Sequence, residues 1–148
     1  MLSQKSSLNS NIHMPWMQSE DWISSDGVHM TIRAVHPSDS DQLNAMVKRL
    51  SFASKKNRFH SAVNELSEKS LHYMTTVDFL NHCACVVTTK NNGINSILCD
   101  ARYVVNDMGN VAEFSIVVED RFQCRGIGYR VMQKLLESAE MAGLQCLV

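Results

Sequence analysis

The sequence predicts one mixed α/β domain, an α+β fold in which helices pack on a mixed sheet. Apolar residues alternate with a period of two in several short segments, as in half-buried strands, and recur with a period of about 3.6 in others, as in amphipathic helices. The 148 residues are enough for one domain with its own core and too few for two ordinary domains.

The chain divides at about residue 27. Residues 1–27 are polar, rich in Ser and Asn and without periodicity, so we expect a flexible N-terminal arm there. Residues 28–148 contain the periodic segments and form the predicted domain.

The first half of this domain combines one strand with three helical segments. Alternation and β-branched residues predict the strand, and Leu43, Met46, Val47 and Leu50 form one apolar face of the first helix. We predict, in order, a strand at 29–35, a helix at 39–50, a polar linker at 51–57, a helical stretch at 57–66, and a short helix capped by Ser67.

The second half begins as an antiparallel meander. Strands are predicted at 83–89, 96–105 and 111–118, with tight turns at Asn91–Gly93 and at 106–110. In the last of these strands the apolar residues Ala112, Phe114, Ile116 and Val118 share one face, and Glu113, Ser115 and Val117 share the other.

The period then changes to that of a helix. An apolar stripe predicts a helix over 128–142, and Gly143 is placed to end it in a left-handed conformation. A fifth strand follows at 144–148.

Composition restricts the possible partners. The net charge of −1 gives no attraction to nucleic acid or to an anionic membrane, and no apolar run approaches the ~18 residues of a membrane span. The five cysteines are an odd number, which indicates a reducing, cytoplasmic compartment. Cys83 and Cys85 are too close in sequence for the usual zinc pair, so we expect no metal site.

Two glycines mark the junction between the strand at 111–118 and the helix at 128–142. Glycine allows close approach to the backbone, and a helix N-terminus offers unpaired N–H groups with partial positive charge. Gln123–Gly128 therefore has the features of a phosphate-binding loop, although a purely structural turn is an open alternative. The loop lacks the third glycine of a dinucleotide fingerprint and the Gly-Lys-Ser/Thr of a triphosphate loop.

The residues around this junction resemble a known family. Gln123-x-x-Gly126-x-Gly128 resembles the acyl-coenzyme A loop of the GCN5-related N-acetyltransferases (GNAT), and Ala112–Phe122 resembles that family's fourth strand. Two upstream stretches, Leu50-Ser-x-x-Ser54-x-x-x-Arg58-Phe59 and Ala101-Arg102-Tyr103, resemble the bacterial protein lysine acetyltransferases. The resemblance covers residues 29–148 and implies a GNAT fold with acetyl-coenzyme A as co-substrate and no metal.

The resemblance also implies roles for individual residues. Glu113 stands where lysine acetyltransferases place a catalytic general base, although it could also be a solvated strand residue. The backbone groups of Val117 and Val118 would bind the pantetheine amides. The N–H groups of the loop would bind the pyrophosphate; these belong to Gln123, Cys124, Arg125, Gly126, Ile127, Gly128 and Tyr129.

The acceptor implied by the resemblance is a primary amine, most readily a protein lysine, with a small-molecule amine as an alternative. Family members continue past the fifth strand, so the resemblance implies a fold truncated there, with residues 144–148 as an open apolar edge where two copies could form a homodimer. A non-catalytic or impaired acyl-coenzyme A binding module is therefore a second alternative.

Overall fold

A computed structural model describes residues 18–59 and 64–148 of the chain. At their centre lies one mixed sheet of six strands, whose order in the sheet follows their order in the sequence. The elements are β1 (Glu20–Ile23), β2 (His29–Ala34), α1 (Ser40–Arg49), α2 (Phe52–Phe59), α3 (Glu68–Thr75), β3 (His82–Asn91), β4 (Ile94–Val105), β5 (Val111–Val118), α4 (Ile127–Met141) and β6 (Cys146–Leu147).

The predicted meander is confirmed. Strands β1 to β5 pair antiparallel in sequence order, and β6 pairs parallel to β5. Asn92 and Gly93, at the β3–β4 turn, have φ values of 51° and 80°, as the Asn-Gly pattern predicts for a tight turn. The antiparallel sheet thus brings β4 and β5, with their polar and charged residues, side by side.

Each face of the sheet carries its own apolar core. One core lies against α4 and contains Tyr103 and Leu135, while the other lies against α1 and α3 and contains Met46 and Met74. The predicted alternation along β5 is confirmed, because Ala112 belongs to the first core and Val117 to the second. Because β5 contributes to both cores, its backbone is held firmly at the centre of the fold.

Helix α4 begins and ends as its glycines predict. Gly126 precedes it with φ 79°, and Gly143 follows it with φ 73°. The N–H groups of Gly143 and Leu144 donate to the carbonyls of Glu140 and Ala139, both at 3.0 Å, which closes the C-terminal end of the helix. In the described ranges no helix has both the length and the apolarity needed to cross a membrane.

The N-terminal arm prediction is wrong for Glu20–Ile23, which form β1. This strand pairs with β2, and the carboxylate of Glu20 accepts a hydrogen bond from Lys134 of α4. Because β1 precedes the strands predicted from alternation, the predicted fifth strand is β6. The rest of the predicted arm, residues 1–17, lies outside the described residues.

The linker prediction over 51–57 is also wrong. These residues form most of α2, which extends to Phe59. The predicted helical stretch at 57–66 is wrong for residues 64–66, which are not helical. Residues 60–63 of this stretch lie outside the described residues. Helix α2 has no buried residue, so it carries no apolar stripe from which its presence could be predicted.

Candidate active site

A cavity of about 770 Å³ lies between α2 and β5. Gln123, at the start of the glycine loop, borders the cavity, and so do the charged residues Arg58, Arg102 and Glu113. The other residues that line it are Ser54, Asn57, Phe59, Tyr73, Val104, Phe114, Ser115, Ile116, Val117 and Val118. Its size is within the range of small-molecule sites.

One edge of β5 faces this cavity with backbone groups available. The N–H of Phe114 donates to Val148 beside β6 at 3.0 Å, whereas the N–H of Glu119 donates to Leu98 of β4 at 2.8 Å. Because backbone groups alternate in direction along a strand, Ile116 and Val118 point to the same side as Phe114, and Val117 points towards β4. The edge therefore presents the backbone groups of Ile116 and Val118 to the cavity. The backbone of Val117 faces β4 instead, and its side chain lies in the core and the cavity wall.

The carbonyl of Val118 already has one partner. The side-chain amide of Gln123 donates to it at 3.0 Å, which ties the first residue of the glycine loop to the end of β5. A carbonyl oxygen has two lone pairs, so Val118 can still accept from a ligand. Ile116 was missed as a candidate from sequence, although counting backbone directions along the strand could have found it.

The glycine loop leaves the N-terminus of α4 open. Cys124 and Gly126 have φ values of 61° and 79°, and no side chain caps the helix. The first hydrogen bond of the helix runs from Arg130 N–H to Gly126 at 3.1 Å, so the N–H groups of residues 127–129 have no partner within the helix. These groups, together with the helix dipole, are suited to an anion such as a phosphate.

Gly128 fits the same interpretation. Its φ is not positive, so its backbone conformation does not require glycine, and a Cβ placed there would meet no atom within 4 Å. Glycine in a helix costs up to about 1 kcal/mol relative to alanine. Among residues 18–59 and 64–148 no contact accounts for that cost, whereas a ligand resting on the backbone would. The loop therefore fits a phosphate-containing ligand.

The charged side chains near the loop are engaged with other residues. Arg125 forms an ion pair with Asp26, in the turn between β1 and β2. The guanidinium of Arg130 lies 4.3 Å from the centre of the Trp22 ring. A second cavity of about 590 Å³ lies beside these residues and is bordered by Gly126 and Tyr129. Tyr129 is 73% exposed and does not border the first cavity, so its ring does not turn towards Glu113.

Glu113 is exposed on β5 and borders the first cavity. It pairs across the strands with Val104, and Ser115, on the same face of β5, pairs with Arg102. Because side chains two residues apart on a strand share a face, Glu113 lies one cross-strand row from Arg102. The structure therefore brings the predicted general base next to a cationic side chain in the same cavity.

A buried charge cluster forms the floor of this cavity. Arg102 Nε donates to Asp100 Oδ2 at 2.9 Å, and Arg102 Nη2 donates to Asp100 Oδ1. Burial would raise the pKa of Asp100, but the Arg102 guanidinium outweighs it and holds the pKa below its ordinary value. Burial first, and then the Arg102 charge, lowers the pKa of His82 to about 4, so this histidine is neutral at pH 7. Arg58 of α2 also reaches Asp100, at 3.7 Å.

Asp78 caps a turn. Its Oδ1 accepts the backbone N–H groups of Leu80, Asn81 and His82, each at 2.9 Å. This carboxylate does not border the cavity, which leaves Glu113 as the acidic residue that does so among the described residues. The described residues also hold no cluster of three or more His, Cys, Asp or Glu that could bind a metal ion.

The cavity residues on α2 and α3 were not predicted as site residues. These are Ser54, Asn57, Arg58, Phe59 and Tyr73. The lysine acetyltransferase pattern included Ser54 and Arg58, but the sequence predicted a linker at Ser54 and a separate helical stretch at Arg58, so their shared position on α2 was not predicted. Their alignment with β5 depends on tertiary packing that local sequence does not reveal.

Comparison with known proteins identifies acetyltransferases. No protein-family model matches the sequence. The acetyltransferase PA5475 of Pseudomonas aeruginosa is 24% identical over 131 residues, which are 87% of this chain and 70% of that protein. The acetyltransferase Pat of Mycolicibacterium smegmatis is 33% identical over 116 residues, which are 77% of this chain. The chain spans 34% of Pat, about a third of that protein's length.

Solved structures show the same fold. The GNAT domain of S. lividans PAT superposes with a TM-score of 0.74 at 23% identity, over 85% of this chain and 74% of that one. The cAMP-binding acyltransferase from Mycobacterium smegmatis superposes with a TM-score of 0.56 at 26% identity, over 88% of this chain and 38% of that one. The mixed sheet with flanking helices is thus the architecture of GNAT domains.

Proposed function

Because the chain has the fold of the GCN5-related N-acetyltransferases and relatives named acetyltransferases, we propose that it transfers an acetyl group from acetyl-coenzyme A to a primary amine. One observation carries the proposal: the open edge of β5, the start of the glycine loop and Glu113 all border one cavity. We propose a protein lysine as the acceptor, in keeping with the sequence resemblance.

Two parts of the backbone would hold the co-substrate. The N–H groups at the start of α4 would bind the pyrophosphate, and Gly126 and Gly128 would let it approach the chain closely. Ile116 and Val118 would exchange hydrogen bonds with the pantetheine amides, as a further strand would. Since Arg125 is paired with Asp26, the N–H groups supply most of the attraction for phosphate.

Glu113 would act as the general base. A protonated amine has no free electron pair, so its proton must leave before nitrogen attacks. The Glu113 carboxylate would accept that proton, and a C–N bond would form at the acetyl carbonyl. The C–S bond would then break with its electron pair on sulfur, and the thiolate would take up the second proton that nitrogen loses, giving the free thiol. Acetyl-coenzyme A supplies the activated thioester. Because Glu113 is exposed, it can pass the proton to solvent.

Two measurements on the purified chain test the proposal. Calorimetric titration should give saturable acetyl-coenzyme A binding, and acetylation of a lysine peptide should be detectable by mass spectrometry. Glu113→Gln should lower kcat at least about 100-fold and leave the acetyl-coenzyme A Kd unchanged. Glu140→Gln, at an exposed position of α4, is the matched control and should leave both values unchanged.

The contrary outcomes separate the alternatives. Turnover that survives in Glu113→Gln would remove Glu113 as the base. Binding without transfer to any peptide or small amine would favour a non-catalytic acyl-coenzyme A module. A folded chain that fails to bind would contradict the enzyme proposal.

A further inference from the structure

The buried cluster beneath the first cavity carries an excess positive charge. Two arginines, Arg58 and Arg102, face one aspartate, Asp100, and His82 is neutral. Asp100 is fully buried, and both of its oxygens bond to Arg102. Its charge is therefore committed to Arg102.

Arg58 is the second and more distant cation on Asp100, and its guanidinium also lies over the Phe59 ring, 4.9 Å from the ring centre. Its Nη2 lies 3.7 Å from Asp100 Oδ2, beyond the usual hydrogen-bond distance, and its Nε is buried with no hydrogen-bond partner. A buried polar atom without a hydrogen bond is costly, and two arginines share the single charge of Asp100, so the Arg58 guanidinium is left with bonding capacity for a further anion. Arg58 borders the cavity and can meet an anion there.

The opposite charge in the cavity belongs to Glu113. Among the described residues, the charged side chains on the cavity wall are Arg58, Arg102 and Glu113. The rows of Glu113 and Arg102 follow one another on the same face, about 7 Å apart. A ligand with an ammonium at Glu113 and an anion at Arg58 would match the charges of this cavity.

We propose that the acceptor carries a carboxylate near the reacting amine and that Arg58 binds this carboxylate. The inference rests on the proposed acetyl transfer at Glu113 and names the class of acceptor. The carboxylate belongs either to an acidic residue next to a peptide lysine or to a small amino acid. A guanidinium can grip a carboxylate with two parallel hydrogen bonds, which gives orientation as well as affinity.

Matched pairs of acceptors test this preference. The peptide arm compares acetyl-Ala-Lys-Glu-amide with acetyl-Ala-Lys-Gln-amide, and the small-molecule arm compares 5-aminovalerate with its amide. We expect kcat/KM to be about tenfold higher for the carboxylate member in one arm. The arm that shows this preference identifies whether the carboxylate belongs to a peptide or to a small amino acid. If the two members of each pair have equal kcat/KM values with the unsubstituted protein, the proposal is overturned.

Substitutions assign the preference to Arg58. In Arg58→Gln the kcat/KM values of the carboxylate acceptor and its amide should lie within about twofold of each other. The kcat/KM of the neutral acceptor and the Kd of acetyl-coenzyme A should not change. Arg58→Lys should keep part of the preference for the carboxylate. Arg121→Gln is the control, since Arg121 is exposed and lies outside the cavity. A preference that survives in Arg58→Gln, or a loss of acetyl-coenzyme A binding instead, would overturn the proposal.

Binding separates this inference from the proposed transfer. Calorimetric titration of each acceptor into the coenzyme A-loaded protein should show the same tenfold preference. If no acceptor is acetylated but the carboxylate forms still bind preferentially, the transfer proposal fails and the Arg58 site stands. If neither member of a pair is preferred in binding or turnover, the Arg58 site is rejected.

Discussion

The carboxylate of Asp120, in the turn after β5, binds both the backbone N–H and the hydroxyl of Ser51, which immediately precedes α2. The two distances are 2.9 Å to Asp120 Oδ2 and 2.6 Å to Asp120 Oδ1, and the hydroxyl of Ser54 adds a third bond at 2.9 Å. Since α2 buries no residue, these bonds couple a helix with little apolar anchoring to the turn that leads into the glycine loop. The two walls of the cavity are thereby joined.

Replacing Asp120 should loosen α2 without unfolding the domain. Asp120→Asn keeps one acceptor oxygen but loses the charge, so we expect a loss of about 1 kcal/mol in the free energy of unfolding. Hydrogen exchange of the α2 amides should accelerate, while exchange in β4 and β5 stays slow. Asp107→Asn, in the exposed turn between β4 and β5, is the control. Unchanged exchange in α2 would mean that other contacts position it.

The parts of the site that local sequence predicted are those with a strict period or a required backbone conformation. Alternation predicted which β5 residues enter each core, and glycine at positive φ predicted the loop before α4. Gln123 followed from the glycine loop and Glu113 from the family resemblance, and both border the cavity. Local rules suffice there because strand alternation and left-handed backbone depend on few distant residues.

The missed parts depend on distant partners. Strand β1 is largely exposed, and its Glu20 pairs with Lys134, far along the chain. Helix α2 has no apolar stripe and is joined to the turn after β5 by Asp120. A charged or polar contact between residues this far apart leaves no periodic pattern, so β1 and most of α2 were not predicted.

Gly128 separates the requirements of folding from those of binding. Its backbone does not need positive φ, and a Cβ there meets nothing within 4 Å, so Gly128→Ala should raise the free energy of unfolding by up to about 1 kcal/mol. Gly128→Glu should leave the fold intact but weaken acetyl-coenzyme A binding about tenfold or more, since it places a negative charge beside the phosphates. Denaturant unfolding and calorimetry measure the two effects.

Two controls accompany these variants. Gly126→Ala should destabilise the protein by about 1–2 kcal/mol, because Gly126 has φ 79°, which is strained for alanine. Met108→Glu adds the same charge at an 82% exposed position away from α4 and should not change binding. If Gly128→Glu binds acetyl-coenzyme A normally, the glycine loop is only a turn.

The two arginines of the buried cluster should differ in their effect on stability. Arg102→Met leaves Asp100 buried without its two close hydrogen bonds, which should cost about 3–5 kcal/mol. Arg58→Met removes only a longer contact of 3.7 Å and leaves both Arg102 bonds to Asp100 in place, so it should cost clearly less than Arg102→Met. Chemical denaturation at pH 7 measures both. Equal losses would show that Asp100 depends on both arginines, and the excess positive charge in the cavity would then be smaller than we infer.

His82 should make stability depend on pH below neutrality. Burial and the Arg102 charge lower its pKa to about 4, against an ordinary value of 6.5. Between these values the unfolded chain binds a proton that the folded chain excludes, so the free energy of unfolding falls as the pH decreases from about 6.5 towards 4. His82→Gln keeps an acceptor for Arg102 without a titrating ring, so its stability should vary less over this range. Urea unfolding of both proteins at several pH values gives the comparison. Parallel pH profiles would mean that His82 protonates equally in both states and that the aspartates account for the acid sensitivity.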